Sequence, residues 1–241
     1  MQKTFIIGDV HGCLEELLDL MQLLDPSVND QIFFIGDLID RGPDSVGVVR
    51  QVLEWCKQKK VRLIIGNHEE KFLRYVQHLQ NGLGIEKKMK GTEEFDNILS
   101  GLKQDELLFL QQGYHSWHLP EWNVLLVHAG VPFHVSVNLP ESYPWLNDYK
   151  ETQKKHLSLL NKTRFLNSMG KFITLGEESE NDFFWADRYD GKWGHIYFGH
   201  QAFLQSEPKR FFHATGIDTG CVYGGWLSAV EISSKQLDRP F

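Results

Sequence analysis

The sequence predicts an α/β protein whose early strands run parallel. Short apolar runs alternate with stretches of helical spacing between residues 4 and 80. Each run stops at a glycine or a turn that is followed closely by carboxylate, carboxamide or imidazole groups. A length of 241 residues with 41% hydrophobic content is enough for one large domain with a sizeable core. Strand–helix alternation at this spacing implies parallel pairing through right-handed crossovers.

The elements follow in order. Residues 4–8 form a short buried strand. Leu14, Leu17, Leu18, Met21 and Leu24 mark a helix over 14–24. Residues 32–36 make the second strand, and a helix over 44–58 starts from a cap at Asp44 or Ser45. The third strand is 61–66, with a helix from about 69 to 80, and residues 93–112 are helical in two pieces. Beyond Gly113 the pattern changes to two strands, 114–119 and 123–128, joined at Pro120. Residues 131–187 are irregular, with one or two helices between 148 and 168, and such a segment is more often a functional cover than a plain connection. Strands return at 196–199, 211–217 and 226–232. With no repeat, linker or low-complexity tract, residues 1–241 are expected to form one domain.

Lys+Arg 25 against Asp+Glu 32 gives a net charge of −7. That surface is poorly suited to long nucleic acid, though it leaves room for a small anion at a local positive cluster. Cys13, Cys56 and Cys221 form no disulfide framework and suit a reducing compartment. A strand starting at residue 4 leaves no room for a removable signal peptide, and no apolar run is long enough to span a bilayer. A cytoplasmic protein without membrane partners is expected.

The strand ends carry the chemistry. They are Gly8-Asp9-Val10-His11-Gly12, Gly36-Asp37-Leu38-Ile39-Asp40-Arg41-Gly42, Gly66-Asn67-His68-Glu69, His128-Ala129-Gly130 and Gly199-His200. Ligands of open α/β sheets gather at the carboxyl ends of strands, so Asp9, His11, Asp37, Asn67, His128 and His200 would meet in one cleft. Oxygen and imidazole donors without thiolates suit manganese, iron, zinc, nickel or cobalt. Six donors fit two ions sharing a carboxylate, and ions roughly 3.5–4 Å apart can hold a hydroxide for in-line attack at phosphorus.

Together these motifs resemble the phosphoprotein phosphatase family of calcineurin-like metallophosphoesterases, over residues 4–80, 123–132 and 183–230. The resemblance implies a central β-sandwich flanked by helices on both sides, a four-layer αββα arrangement with a dinuclear site at the strand ends. It further implies that Asp9 and His11 bind the first metal, that Asp37 bridges, and that Asn67, His128 and His200 complete the second. His68 would be the general acid, with Asp40 orienting its imidazole, and Arg41 would clamp phosphate oxygens.

Three further segments bear on the substrate. Phe184-Trp185-Ala186-Asp187-Arg188 is similar to a segment that places another phosphate-binding arginine. Thr163-Arg164-Phe165 with Gly170, and the run from His213 to Gly225 that includes Tyr223, resemble symmetrical diadenosine tetraphosphatases, with a looser likeness to bacterial serine/threonine protein phosphatases. Arg164 and Arg188 are as readily surface ion pairs as substrate contacts, and Tyr223 would stand at the rim. Trp145, Trp185 and Trp193 either stack on a base or fill the cover. The expected activity is hydrolysis of a dinucleoside polyphosphate with two divalent ions, manganese first. The compact cover and the Gly-Asp-x-x-Asp-Arg-Gly form keep a protein serine/threonine phosphatase as the alternative. A catalytically inactive phosphate sensor comes third, because every proposed ligand and the acid are present.

Overall fold

The computed structural model describes residues 2–82, 91–135, 138, 139, 142–145, 148–233 and, for the backbone, 236–240. The first third alternates as β1 (Thr4–Ile7), α1 (Leu14–Leu24), β2 (Gln31–Phe34), α2 (Ser45–Cys56), β3 (Lys60–Leu63) and α3 (Asn67–Gln80). The chain continues through α4 (Phe95–Gly101), α5 (Gln104–Gln111), β4 (Tyr114–Leu119), β5 (Val124–Val127), β6 (Tyr143–Pro144) and α6 (Glu151–Leu159). Three two-residue strands follow: β7 (Phe165–Leu166), β8 (Phe172–Ile173) and β9 (Phe183–Phe184). The last part holds β10 (His195–Phe198), β11 (Lys209–Arg210), β12 (Ala214–Gly216), β13 (Asp218–Thr219), β14 (Trp226–Leu227), β15 (Ala229–Ser233) and β16 (Gln236–Pro240).

Two mixed sheets result, in the orders β16-β15-β1-β2-β3 and β11-β12-β10-β5-β4-β6. The β1–β2–β3 pairs are parallel, as the alternation requires, and so are β5–β10 and β10–β12. β4 and β5 pair antiparallel because only the 3-10 turn Pro120–Trp122 joins them, too short for a crossover.

Strand alternation explains the layers. Ile6, Phe33, Ile35, Val124, Leu126 and Tyr197 point into a core between the two sheets. Their neighbours Phe5, Ile7, Ile32 and Phe34 face the opposite way, onto a core shared with α1–α5. Leu125, Val127, Ile196 and Phe198 face a third core with α6 and the cover. The result is helices, sheet, sheet, and then one helix with irregular chain: the expected β-sandwich, with its second outer layer only partly helical. Asp44 caps α2 through a 2.7 Å bond from the Gly47 N–H.

Some expected elements differ. The strand over 211–217 is broken, because β11 and β12 are a short antiparallel pair turning through Phe212 and His213. The strand over 226–232 divides at Ser228, whose carbonyl accepts from the Gly8 N–H at 3.0 Å. β16 and the small sheet β8-β7-β9 inside the cover were not foreseen from the residue pattern. Residues 136, 137, 140, 141, 146 and 147 of the cover lie outside the described residues. Trp185 and Trp193 are buried and serve packing, while Trp145 is half-buried against the helix-side core beside His115.

Candidate active site and metal centre

The loops after β1 and β2 are stitched together, with the Val10 and His11 N–H groups both donating to the Asp37 carbonyl, at 3.0 and 2.7 Å. Five non-glycine residues here, His11, Asp37, Asp40, Arg41 and His200, have left-handed φ values between 46° and 74°. Such backbone costs free energy at each position and persists only where surrounding bonds hold it. Glu69 supplies much of that hold. This buried carboxylate, the third residue of α3, accepts from the N–H groups of Asp37, Leu38, Ile39 and Gly66 at 2.8–3.2 Å. Gly66 is required for a different reason, since a Cβ there would meet the Asp37 carboxylate at 2.1 Å.

Around this frame the donors converge. Asp37 belongs to two clusters whose ligand atoms lie within 4.8 Å of one another, one with His11 and His68 and the other with His128 and His200. His11 turns its Nδ1 to the Ile39 carbonyl at 3.1 Å, leaving Nε2 3.4 Å from the Asp37 carboxylate. His128 does the same with the Ile35 carbonyl at 2.7 Å, and its Nε2 lies 3.4 Å from Asp37 and 3.0 Å from the Asn67 carboxamide oxygen. Asp9 is buried and accepts from the His200 N–H at 2.9 Å. His68 places Nδ1 2.6 Å from Asp40 and Nε2 3.9 Å from Asp37. All eight expected metal and acid residues thus gather in one place.

The substrate residues divide. Arg41 contacts the Tyr223 hydroxyl and lies 3.5 Å from His11 Nε2. Arg164 reaches the same centre from the cover: one of its terminal amino groups donates to the His200 carbonyl at 3.0 Å, and its buried Nε has no partner among the described residues. Arg188 is exposed, with its guanidinium over the Phe183 ring, 4.2 Å from the ring centroid.

Charge at the centre is unbalanced. Burial opposes ionisation of Asp37, but His128 and His68 outweigh it and hold the carboxyl well below the usual range. Burial, with Asp218 and Asp37 nearby, pushes Asp9 well above that range. Burial also raises Glu69 to about 6, with Asp37 adding to the shift, and lowers His11 to about 4 against the pull of Asp37. His200 is lowered by burial and by the neighbouring His128 and Arg164. Four buried acids, Asp9, Asp37, Glu69 and Asp218, thus share a region whose imidazoles include two held away from their charged form. Bound cations would offset that buried negative charge. The donor set fits divalent ions with nitrogen and oxygen ligands, and Asp9, His11, Asp37, Asn67, His128 and His200 could hold them.

Sequence reasoning did not single out Glu69 and Asp218. Glu69 stands in the sequence only as the end of Gly66-Asn67-His68-Glu69, and its burial and hydrogen bonds show the backbone clamp. Asp218 stands in β13, where it accepts from the Gly220 N–H at 2.9 Å while its charge faces Asp9.

Residues 3–204 match the calcineurin-like phosphoesterase family. The chain is 35% identical to the asymmetrical bis(5'-nucleosyl)-tetraphosphatase PrpE of Oceanobacillus iheyensis, over 97% of this chain and 90% of that protein. It is 27% identical to the symmetrical bis(5'-nucleosyl)-tetraphosphatase of Edwardsiella ictaluri, over 95% and 92%. Among solved structures, a proposed diadenosine tetraphosphatase superposes with a TM-score of 0.71 at 25% identity, covering 99% of this chain and 93% of that one. A yeast protein serine/threonine phosphatase shares the fold at a TM-score of 0.54 and 16% identity, over 96% and 73%. The family match, the relatives and the shared Asp37 agree: the chain belongs to the calcineurin-like phosphoesterase family and is a metal-dependent hydrolase of phosphate esters or anhydrides.

Proposed function

We propose that the chain hydrolyses dinucleoside polyphosphates of the diadenosine tetraphosphate type, as a single cytoplasmic domain using two divalent ions, manganese first. The observation that carries the two-ion reading is Asp37, whose carboxylate is common to both ligand clusters. The names of the relatives, at 35% and 27% identity, support the substrate class. The unpaired cysteines support the location, and no described helix is long and apolar enough to cross a membrane.

The bound ions would activate water and neutralise phosphate charge. Asp9 and His11 would hold one, Asn67, His128 and His200 the other, with Asp37 between them. Arg41 would bind the phosphate oxygens as a bidentate fork, steadied by the Tyr223 hydroxyl. His68, whose Nδ1 is fixed by Asp40, would present Nε2 toward the leaving oxygen and give up its proton there. Arg164, close enough to Arg41 for the two charges to interact, would add a second contact to the phosphate chain.

The test compares kcat/KM on diadenosine tetraphosphate, a phosphoserine/phosphothreonine peptide, phosphotyrosine and a nucleoside triphosphate with manganese. The dinucleotide should be the best substrate. Its products separate two modes of cleavage: AMP plus ATP for asymmetrical attack, two ADP for symmetrical. A phosphopeptide turned over faster than the dinucleotide would replace this reading with the protein phosphatase one.

A further inference from the structure

Outside the main cleft, a second group of metal-competent side chains joins two distant parts of the chain. Cys13 precedes the first turn of α1, Glu16 lies within that turn, and Cys221 opens the 3-10 turn Cys221–Tyr223. Their ligand atoms lie within 4.8 Å of one another. We propose that Cys13, Glu16 and Cys221 form a third metal site, selective for a thiophilic divalent ion such as zinc.

Buried cysteines are ordinarily small apolar fillers. Both thiols are buried here, at 5% and 7% exposure, but three features exceed simple filling. A carboxylate completes the cluster. The acidic Glu16 faces both thiols and Asp218 also faces Cys221, a charge pattern that a cation would complement. Glu16 itself is exposed, which leaves a fourth coordination position open to water. Two thiolates, a carboxylate and water make a tetrahedral zinc set, whose ligand atoms stand about 3.5–3.8 Å apart. Closing from the observed separation needs side-chain rotation of about 1 Å. Binding would release two thiol protons to solvent.

The donor chemistry separates this site from the main one. Thiolates favour zinc strongly over manganese, whereas the strand-end cluster, which offers no sulfur, also accepts harder ions such as manganese. Position gives the site a consequence. Cys13 lies two residues beyond His11, and its thiol donates weakly to the His11 carbonyl at 3.8 Å. Cys221 lies two residues before Tyr223, which touches Arg41. An ion between them would tie the start of α1 to the turn that steadies the phosphate-facing arginine.

The experiment loads the full reduced chain with manganese and then titrates cobalt, following thiolate-to-cobalt charge-transfer absorption in the near ultraviolet. The main cleft cannot produce that band. The expected result is a band that saturates at one cobalt per chain and is erased by zinc. Cys56→Ser should keep it, Cys13→Ser and Cys221→Ser should abolish it, and Glu16→Gln should weaken cobalt binding at least tenfold. No band, or a band surviving Cys221→Ser, overturns the proposal, as does finding Cys13 and Cys221 joined in a disulfide that excludes the ion. Should a serine variant fail to fold, alkylation of the wild type decides. Zinc should protect two of the three thiols, and equal labelling with and without zinc overturns the site.

Discussion

The strand-end cluster and the described part of the cover, which brings Arg164 to it, are held in place by different forces. In the cluster the backbone is locked. Left-handed residues at Asp37, Asp40 and Arg41 are pinned by the bonds that Glu69 accepts and by the Ser45 hydroxyl, which receives the Asp40 N–H at 2.9 Å. In the cover the strands are two residues long, and side chains do the holding. Phe184 meets the rings of Phe165, Trp185, Phe198, Phe203 and Phe211 at centroid distances of 5.5–6.5 Å. The proposed reaction chemistry therefore sits on a hydrogen-bonded frame, and the groups that would choose a substrate sit on a packed but locally irregular one.

The sharpest way to break that contrast is within the cluster. Asp37→Asn removes the carboxylate shared by both halves, and turnover should fall at least about 10³-fold, roughly 4 kcal/mol of barrier. Metal analysis should show fewer than two ions per chain. Two ions retained with activity within tenfold would mean that Asp37 is not the shared ligand. Next in size, His68→Asn should lower turnover of the dinucleotide by about 10²–10⁴-fold while leaving metal content intact. An aryl phosphate, whose leaving group needs less protonation, should suffer less. Metal lost together with activity would make His68 a ligand, which its 3.9 Å approach to Asp37 makes a fair challenge.

This contrast also explains what the residue pattern could and could not reveal. Asp9, His11, Asp37, Asn67, His128 and His200 were legible because each follows an apolar strand, and parallel strands deliver their ends to one edge. The apolar runs Phe5-Ile6-Ile7 and Ile32-Phe33-Phe34 made buried strands readable, but the layers came only from the family resemblance, because a run apolar at every position does not show which side chains face which core. The cover offered no such period. A two-residue strand such as Phe165–Leu166 exists because Phe183, Phe184 and Phe172 pair with it, and pairing across that distance leaves no local signature. Glu69 and Asp218 were hidden for the same reason, since their roles lie in partners far along the chain.

A smaller effect probes the floor of the cover. His115 on β4 is buried beside Trp145, their ring centroids 4.9 Å apart, and its Nδ1 has no partner among the described residues. Burial lowers its pKa from 6.5 to about 4. The unfolded chain therefore takes up the proton first, and stability contributed by the neutral ring is complete above pH 6.5 and drains away as pH falls toward 4. The full shift is worth about 3 kcal/mol at most. Denaturant unfolding at pH 7 and pH 4.5 should show a loss for wild type exceeding that for His115→Phe by about 2 kcal/mol. Equal losses would place the acid sensitivity entirely in the strand-end carboxylates.

The smallest effect separates Arg164, within the cover, from Arg188, just beyond its end. Arg164 already bears the cost of a half-buried guanidinium with an unsatisfied N–H, and burial and the nearby Arg41 lower its pKa. A buried donor left unpaired is costly unless a ligand completes it, and a phosphate oxygen would do so. Arg188 bears no such cost, because its guanidinium lies on Phe183 in contact with solvent. Arg164→Ala should therefore raise KM for the dinucleotide about tenfold, near 1.4 kcal/mol, with a lesser change in kcat, while Arg188→Ala should stay within about twofold. Because Arg164 also bonds the His200 carbonyl, Arg164→Lys with unchanged metal content checks that the loss comes from phosphate binding and not from a displaced ligand. Should Arg188→Ala raise KM as much as Arg164→Ala, the outer arginine also reaches the substrate. The cover would then close further over the site than its packing around Phe184 shows.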